Sequence, residues 1–207
     1  MAVDYHALSS ITIKDNYPLP RTDELFNQLQ GAKIFTKLNL RSGYYQTRVK
    51  KEDILKTAFL TRYGLYEFTV LPFGLTSVLA TFMRLMNDVF RDLLDVCIII
   101  YLDDILIYSR NEEEHKEHVK LVLEKLQEYK LYAKKQKCEF GVKKLEFIRH
   151  YIDKQGLYID PQKVQAVVDW PLLHNTKDIQ CFLGLANYYH QFIKGYSSIV
   201  YPLTKLL

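Results

Sequence analysis

Cysteine is scarce in this chain. Three residues in 207, Cys97, Cys138 and Cys181, are odd in number and far apart. That excludes a zinc motif of paired cysteines and a disulfide-stapled scaffold, and it suits a reducing compartment. Glycine and proline are few, eight and six, which excludes a collagen-like or low-complexity chain. Residues 1–20 lack the basic-then-apolar layout of a signal peptide. The longest apolar run, Val96–Tyr108, is shorter than a membrane span and is split by Asp103 and Asp104. No membrane partner is expected, and the location is expected to be cytoplasmic or nuclear. Charge of one sign is lacking too, since 28 basic residues face 24 acidic ones, net +4. So small an excess permits nucleic-acid binding without arguing for it.

What is present is a globular composition, 48% hydrophobic and 25% charged, rich in tyrosine with 16. No internal repeat is visible. Pro18 and Pro20 keep 13–21 extended. Thr22–Gln30 reads as a short helix, capped by Thr22 and ended by Gly31. Ile34–Leu40 alternates as a strand, and Thr47–Val49 and Thr57–Leu60 read as further strands. Ala80–Leu94 has helical periodicity. Val96–Tyr101 and Ile105–Tyr108 flank an acidic pair, so they read as a hairpin with the aspartates near its tip.

Glu112–Lys130 reads as a second long helix, with Val119, Val122, Leu123 and Leu126 inward. Its His115 and His118 read as an exposed helix face rather than a metal pair. Leu145–Ile152 and Leu157–Ile159 read as a hairpin around Asp153–Gly156. From Asp160, an N-cap followed by Pro161, the pattern turns helical, including residues 176–193. The chain therefore divides near residue 157 into an α+β body and a helical part.

Tyr101-Leu102-Asp103-Asp104 carries the strongest chemical signal. Two adjacent carboxylates lie between apolar strands, where unpaired charge is costly. A divalent metal would compensate them, magnesium being a hard cation that takes oxygen ligands. A polar turn on a surface hairpin explains the tetrapeptide equally well.

The flanking segments favour the first alternative. With Val3-Asp4-Tyr5, Tyr17-Pro18-Leu19-Pro20-Arg21, Leu40-Arg41-Ser42-Gly43-Tyr44, Lys56-Thr57-Ala58-Phe59, Leu71-Pro72-Phe73-Gly74-Leu75-Thr76, Lys137-Cys138-Glu139-Phe140 and Phe182–Tyr189 in order, the chain resembles the reverse transcriptase of gypsy-type LTR retrotransposons. The resemblance runs along nearly the whole chain. It implies an α+β, right-hand polymerase palm with an antiparallel sheet and packed helices, partial fingers and a helical thumb. Residues 1–156 would hold partial fingers and palm, with 47–77 a fingers-like insertion, and 157–207 the thumb-like region.

The resemblance also implies two-metal nucleotidyl transfer using Mg²⁺ or Mn²⁺, an RNA or DNA primer–template and a deoxynucleoside triphosphate. Asp103 would be a metal ligand, with Asp104 its less direct neighbour. The other ligand position, an aspartate in the family pattern, is Asn39 here. Asn39 keeps one carbonyl oxygen and loses the charge, so the metal would bind weakly if at all. Leu40, Arg41, Ser42, Gly43, Tyr44, Phe73 and Gly74 would line the nucleotide site, with Tyr44 a steric gate against the ribose 2′-hydroxyl. Lys56, Arg62, Arg149 and His150 would contact nucleic acid, although solvated cations are the commoner case.

Other departures agree with decay. Ser77-Val78-Leu79 replaces Asn-Ala-Pro, and Phe147-Ile148-Arg149-His150 replaces Phe-Leu-Gly-His. His6 stands where the family usually has arginine. Met1 falls inside the ancestral domain, so a basic fingers segment is expected to be missing upstream. Six lysines between Lys130 and Lys144 face one acid, Glu139, either to neutralise phosphates or as a solvated loop. The leading expectation is a truncated reverse transcriptase domain with impaired or lost polymerase activity. The alternatives are a non-catalytic nucleic-acid-binding module and a host-retained scaffold for a protein partner.

Overall fold

A computed structural model describes residues 3–18 and 20–207. The expectations touching Met1 and Leu19 lie outside the described residues. In chain order the elements are α1 (His6–Ile11), α2 (Thr22–Asn27), β1 (Ile34–Asn39), β2 (Phe59–Thr61), β3 (Gly64–Tyr66), α3 (Val78–Val89), β4 (Ile98–Tyr101), β5 (Asp104–Ser109), α4 (Glu112–Glu128), β6 (Glu139–Val142), β7 (Lys144–Phe147), β8 (His150–Asp153), β9 (Gly156–Ile159), α5 (Pro161–Val168), α6 (Thr176–Tyr188) and α7 (Tyr196–Thr204).

Four strands form an antiparallel sheet in the order β4-β5-β1-β6. β4 and β5 are rich in isoleucine and leucine and, with Leu38 of β1, pack against α3 and α4. Leu38, Phe82, Met86, Phe90, Ile98, Ile105, Ile107 and Val122 are essentially sealed from solvent. Each such side chain contributes about 1.5–3 kcal/mol of burial. This core pins the β4–β5 turn, residues 102–103, beside the C-terminal end of β1.

The chain separates into two compact units. One is Met1–Ile148 with Ile152–Gly156, and the other is Arg149–Tyr151 with Leu157–Leu207. The second unit has its own small core of Ile179, Leu183, Ala186 and Tyr189. Asp160 caps α5 by accepting from the Gln162 N–H at 2.9 Å, with Pro161 at the first helical position.

Several local expectations are corrected. The first long helix is Val78–Val89, not 80–94. Thr47–Val49 is no strand, only a single bridge from Arg48 to Val70, because residues 51–57 coil into a 3-10 helix. Thr57 and Ala58 precede β2 rather than belonging to it. Arg21, not Thr22, occupies the N-cap position of α2, without a side-chain capping bond, and the helix ends at Asn27. Leu123 is exposed on α4. Residues 145–159 fold as three strands with a tight turn at Ile148 and Arg149, both in the left-handed region. Residues 176–193 are α6 followed by a separate 3-10 turn.

Candidate functional site: the end of the central hairpin

Asn39, Asp103 and Asp104 meet at one end of the central sheet. Asn39 ends β1 and is the cross-strand partner of Asp104, the first residue of β5. Its amide nitrogen donates to a carboxylate oxygen of Asp104 at 2.7 Å. The Leu40 N–H donates to the Asp103 carbonyl at 2.8 Å, which ties the turn to β1. Leu102 makes that turn with φ 57°, a left-handed conformation unusual for leucine. All three polar side chains are half-buried.

Burial pushes the Asp104 carboxyl above its ordinary pKa, and Asp103 adds to the rise. The Asn39 hydrogen bond, Lys37 and Lys137 pull the other way. Lys37 is engaged nearby, 3.3 Å from a Glu139 carboxylate oxygen. Tyr44 is half-buried, its ring edge-on to Phe73 at 4.9 Å and to Phe82 at 5.0 Å. Burial, with Asp103 behind it, raises its phenol pKa.

A cleft of about 700 Å³ opens beside this end of the sheet, lined by Asn39, Arg41, Ser42, Asp103, Lys134, Lys135 and Lys137 among others. Backbone bonds hold its wall: Arg41 N–H to the Tyr132 carbonyl and Lys134 N–H to the Asn39 carbonyl, both 2.8 Å. Gln46 staples the same wall. Its amide oxygen accepts from the Tyr132 N–H at 2.6 Å, and its nitrogen donates to the carbonyls of Arg41 and Tyr132 at 2.7 and 3.0 Å. Sequence reasoning missed Gln46. Only its place two residues after Tyr44 hinted at a role.

The other candidates fall elsewhere. Gly43 is required by packing, since a Cβ there would lie 2.8 Å from the Phe82 ring. Gly74 adopts φ 102° with the Val3 carbonyl 3.2 Å from where a Cβ would be. Phe73 is exposed and also meets Tyr45, at 5.4 Å. Lys56 pairs with Asp53, and Arg62 lies over the Tyr63 ring at 4.5 Å. Neither borders the cleft. Arg149 sits at φ 62°, the strained conformation that a glycine would tolerate. His150 is a correction: it is 2% exposed and stacks on Tyr188 at 6.0 Å, so its imidazole is closed to a nucleic acid. Tyr188 is exposed and Tyr189 is core.

His115 is a second correction. It is 5% exposed, not on an open helix face. Its ring nitrogens bond Thr36 Oγ1 at 2.7 Å and Ser109 Oγ at 2.9 Å, and Ser109 Oγ also meets His118 Nδ1 at 2.8 Å.

Fold and site together define a member of the reverse transcriptase family. The family model described as "Reverse transcriptase (RNA-dependent DNA polymerase)" matches residues 1–152, and the chain belongs to that family. It is 41% identical over its whole length to the retrovirus-related Pol polyprotein from transposon 297 of Drosophila melanogaster, covering 20% of that protein. It is 37% identical over 207 residues to the transposon Tf2-3 polyprotein of Schizosaccharomyces pombe, covering 16% of it. The chain thus spans a fifth or less of these relatives. Among solved structures, it superposes on foamy viral protease-reverse transcriptase in complex with double-stranded DNA with TM-score 0.87 at 22% identity, covering 100% of this chain and 43% of that one. The same enzyme with an RNA/DNA hybrid gives 0.81 at 21%, covering 99% and 28%. The fold is the α+β polymerase palm.

Reverse transcriptases generally use divalent metal ions. The donor set here does not fit a pair of them. It offers two carboxylates, and one oxygen of Asp104 already accepts the Asn39 amide. Among the described residues, no group of three or more His, Cys, Asp or Glu is placed to hold a metal. Among the described residues, no helix is long and apolar enough to cross a membrane.

Proposed function

We propose that this chain is a reverse transcriptase domain whose polymerase chemistry is impaired at Asn39. The observation that carries the proposal is the Asn39–Asp104 hydrogen bond. An aspartate at position 39 would repel Asp104 unless cations lay between them. Asparagine instead donates to it, and the pair satisfies itself. Loss of that carboxylate removes several kcal/mol of transition-state stabilisation, roughly three or more orders of magnitude in rate at about 1.36 kcal/mol per decade.

In this assignment residues 1–156 are partial fingers and palm, with 47–77 the fingers-like insertion, and 157–207 the thumb-like part. Asp103, Asp104 and Asn39 stand at the family's Mg²⁺ or Mn²⁺ position, where a metal would bind weakly if at all. Tyr44 excludes a ribose 2′-hydroxyl, Phe73 and Gly74 floor the nucleotide pocket, and residues 40–43 face the phosphates. The partner is an RNA or DNA primer–template with a deoxynucleoside triphosphate. Support for the partner comes from the foamy viral enzymes of like fold, described with an RNA/DNA hybrid and with double-stranded DNA. Lys56, Arg62 and Arg149 remain candidate phosphate contacts, and His150 is withdrawn.

A second reading, a non-catalytic nucleic-acid-binding module, is favoured by one observation. Among the described residues, Arg41, Lys134, Lys135 and Lys137 have no carboxylate at ion-pair distance.

Primer extension on an RNA template with Mg²⁺ or Mn²⁺ tests the proposal. The chain is compared with Asn39→Asp and with Asn39→Asp carrying Asp103→Ala. The expected outcome is extension by Asn39→Asp alone. Robust extension by the unmodified chain, abolished by Asp103→Ala, contradicts impairment. Silence from all three, with salt-dependent primer–template binding retained, supports the non-catalytic module.

A further inference from the structure

We propose that the cleft beside Asn39 binds a pyrophosphate or triphosphate group without a divalent ion. The inference deepens the preceding proposal and rests on it: the same cleft that no longer suits paired metals has become a cation-lined anion site. Its lining carries four cationic side chains, Arg41, Lys134, Lys135 and Lys137, against one carboxylate, Asp103. Position 39 contributes an amide where a second carboxylate would cut the excess. Asp104 is not part of the lining, and it accepts from Asn39. Lys37, the remaining neighbour, is spent on Glu139.

The backbone that carries two of the cations is held in place, while their side chains are exposed. Arg41 and Lys134 hang from backbone bonded to Tyr132 and Asn39, and Gln46 clamps both Arg41 and Tyr132. A wall whose backbone is already ordered leaves only side-chain entropy to lose on binding. Arginine offers a planar fork for phosphate oxygens and the lysines act as point charges.

The lining points to compact phosphate rather than to a nucleic-acid strand. It contains no aromatic side chain, whereas single strands are held largely by bases stacked on aromatic rings. Its volume, about 700 Å³, lies in the range of small-ligand pockets.

The test is calorimetric titration of the full chain at low salt with pyrophosphate, tripolyphosphate and dTTP. Each is run in EDTA and again with excess Mg²⁺. Binding is expected in EDTA, with similar affinity for tripolyphosphate and dTTP because no group reads the base. Mg²⁺ should weaken it, since the ion masks the ligand's charge. Lys134→Ala with Lys137→Ala should weaken binding about tenfold or more, as charge-assisted contacts are lost. Asn39→Asp should weaken it in EDTA and restore dependence on Mg²⁺. Lys134 and Lys137 are exposed and Asn39 is half-buried, and circular dichroism checks that the variants stay folded.

No binding in EDTA, binding only with Mg²⁺, or affinity untouched by the lysine and Asn39 variants overturns the inference. So does tight binding of a short oligonucleotide with which pyrophosphate fails to compete. Primer extension by the unmodified chain would instead sink the proposed impairment, so the two failures are told apart.

Discussion

At the scale of single residues, the proposed impairment rests on Asn39, and two other positions show what substitution does to this fold. Arg149 holds φ 62° without a glycine's freedom. Arg149→Gly is expected to stabilise the chain by about 0.5–1 kcal/mol, because relief of left-handed strain exceeds the added unfolded-state entropy. Urea denaturation reads this directly, and a destabilised variant would mean that the arginine makes a compensating contact. Gly43→Ala should destabilise by about 1–3 kcal/mol, since its Cβ would meet the Phe82 ring at 2.8 Å.

His115 supplies a pH signature. Burial, with His118 beside it, lowers its pKa from 6.5. The unfolded chain therefore binds the proton more readily than the folded one. Stability is full above about pH 6.5 and declines as pH falls toward the folded-state pKa. Melting curves between pH 7.5 and 5 should show that decline, and His115→Gln should flatten it. An unchanged slope in the variant would assign it to another group.

At the scale of elements, the hairpin that carries the aspartates was legible because Val96–Tyr101 and Ile105–Tyr108 are unbroken β-rich runs around a polar pair. The sheet order was not. Nothing local tells β1 that it will lie between β5 and β6, because that pairing is a long-range contact. Thr47–Val49 misled for the reverse reason. Three residues of β propensity found only one bridge, and the following residues turned into a 3-10 helix. His115 misled because two histidines among glutamates look solvated. Its burial depends on Thr36 and Ser109, polar residues inside apolar strands. Gln46 was invisible because its partners are backbone groups, of nearby Arg41 and of Tyr132 86 residues away.

Gln46→Ala is accordingly expected to cost about 1–3 kcal/mol, by leaving the Tyr132 N–H and two carbonyls without their partner. It should also speed amide exchange in residues 130–137 while the core strands stay protected. Uniform protection across that loop would show that the staple is dispensable.

At the scale of the whole molecule, membership of the reverse transcriptase family rests on matched blocks in order. The resemblance made the palm legible from end to end, and the superposition on the foamy viral enzyme agrees with it. What was legible residue by residue is the proximity of Asn39, Asp103 and Asp104, which the ends of adjacent strands bring together. Gly43 matched its motif for packing. His150 matched too, but its imidazole is buried.

Electrostatics belong to this scale as well. A net charge of only +4 means that the proposed primer–template affinity would have to come from local cations. It should fall steeply between about 50 and 200 mM salt. A salt-insensitive association would point instead to a protein-binding surface.

The proposed impairment turns on what Asn39 does to metal binding, and Mn²⁺ affinity measures that without requiring turnover. Titration followed by electron paramagnetic resonance should find weak binding to the unmodified chain. Binding to Asn39→Asp should be tighter by about tenfold or more, since the added carboxylate contributes at least about 1.4 kcal/mol. Equal Mn²⁺ affinity in the two chains would show that the amide has not disabled the centre, and the proposed impairment would fall with it.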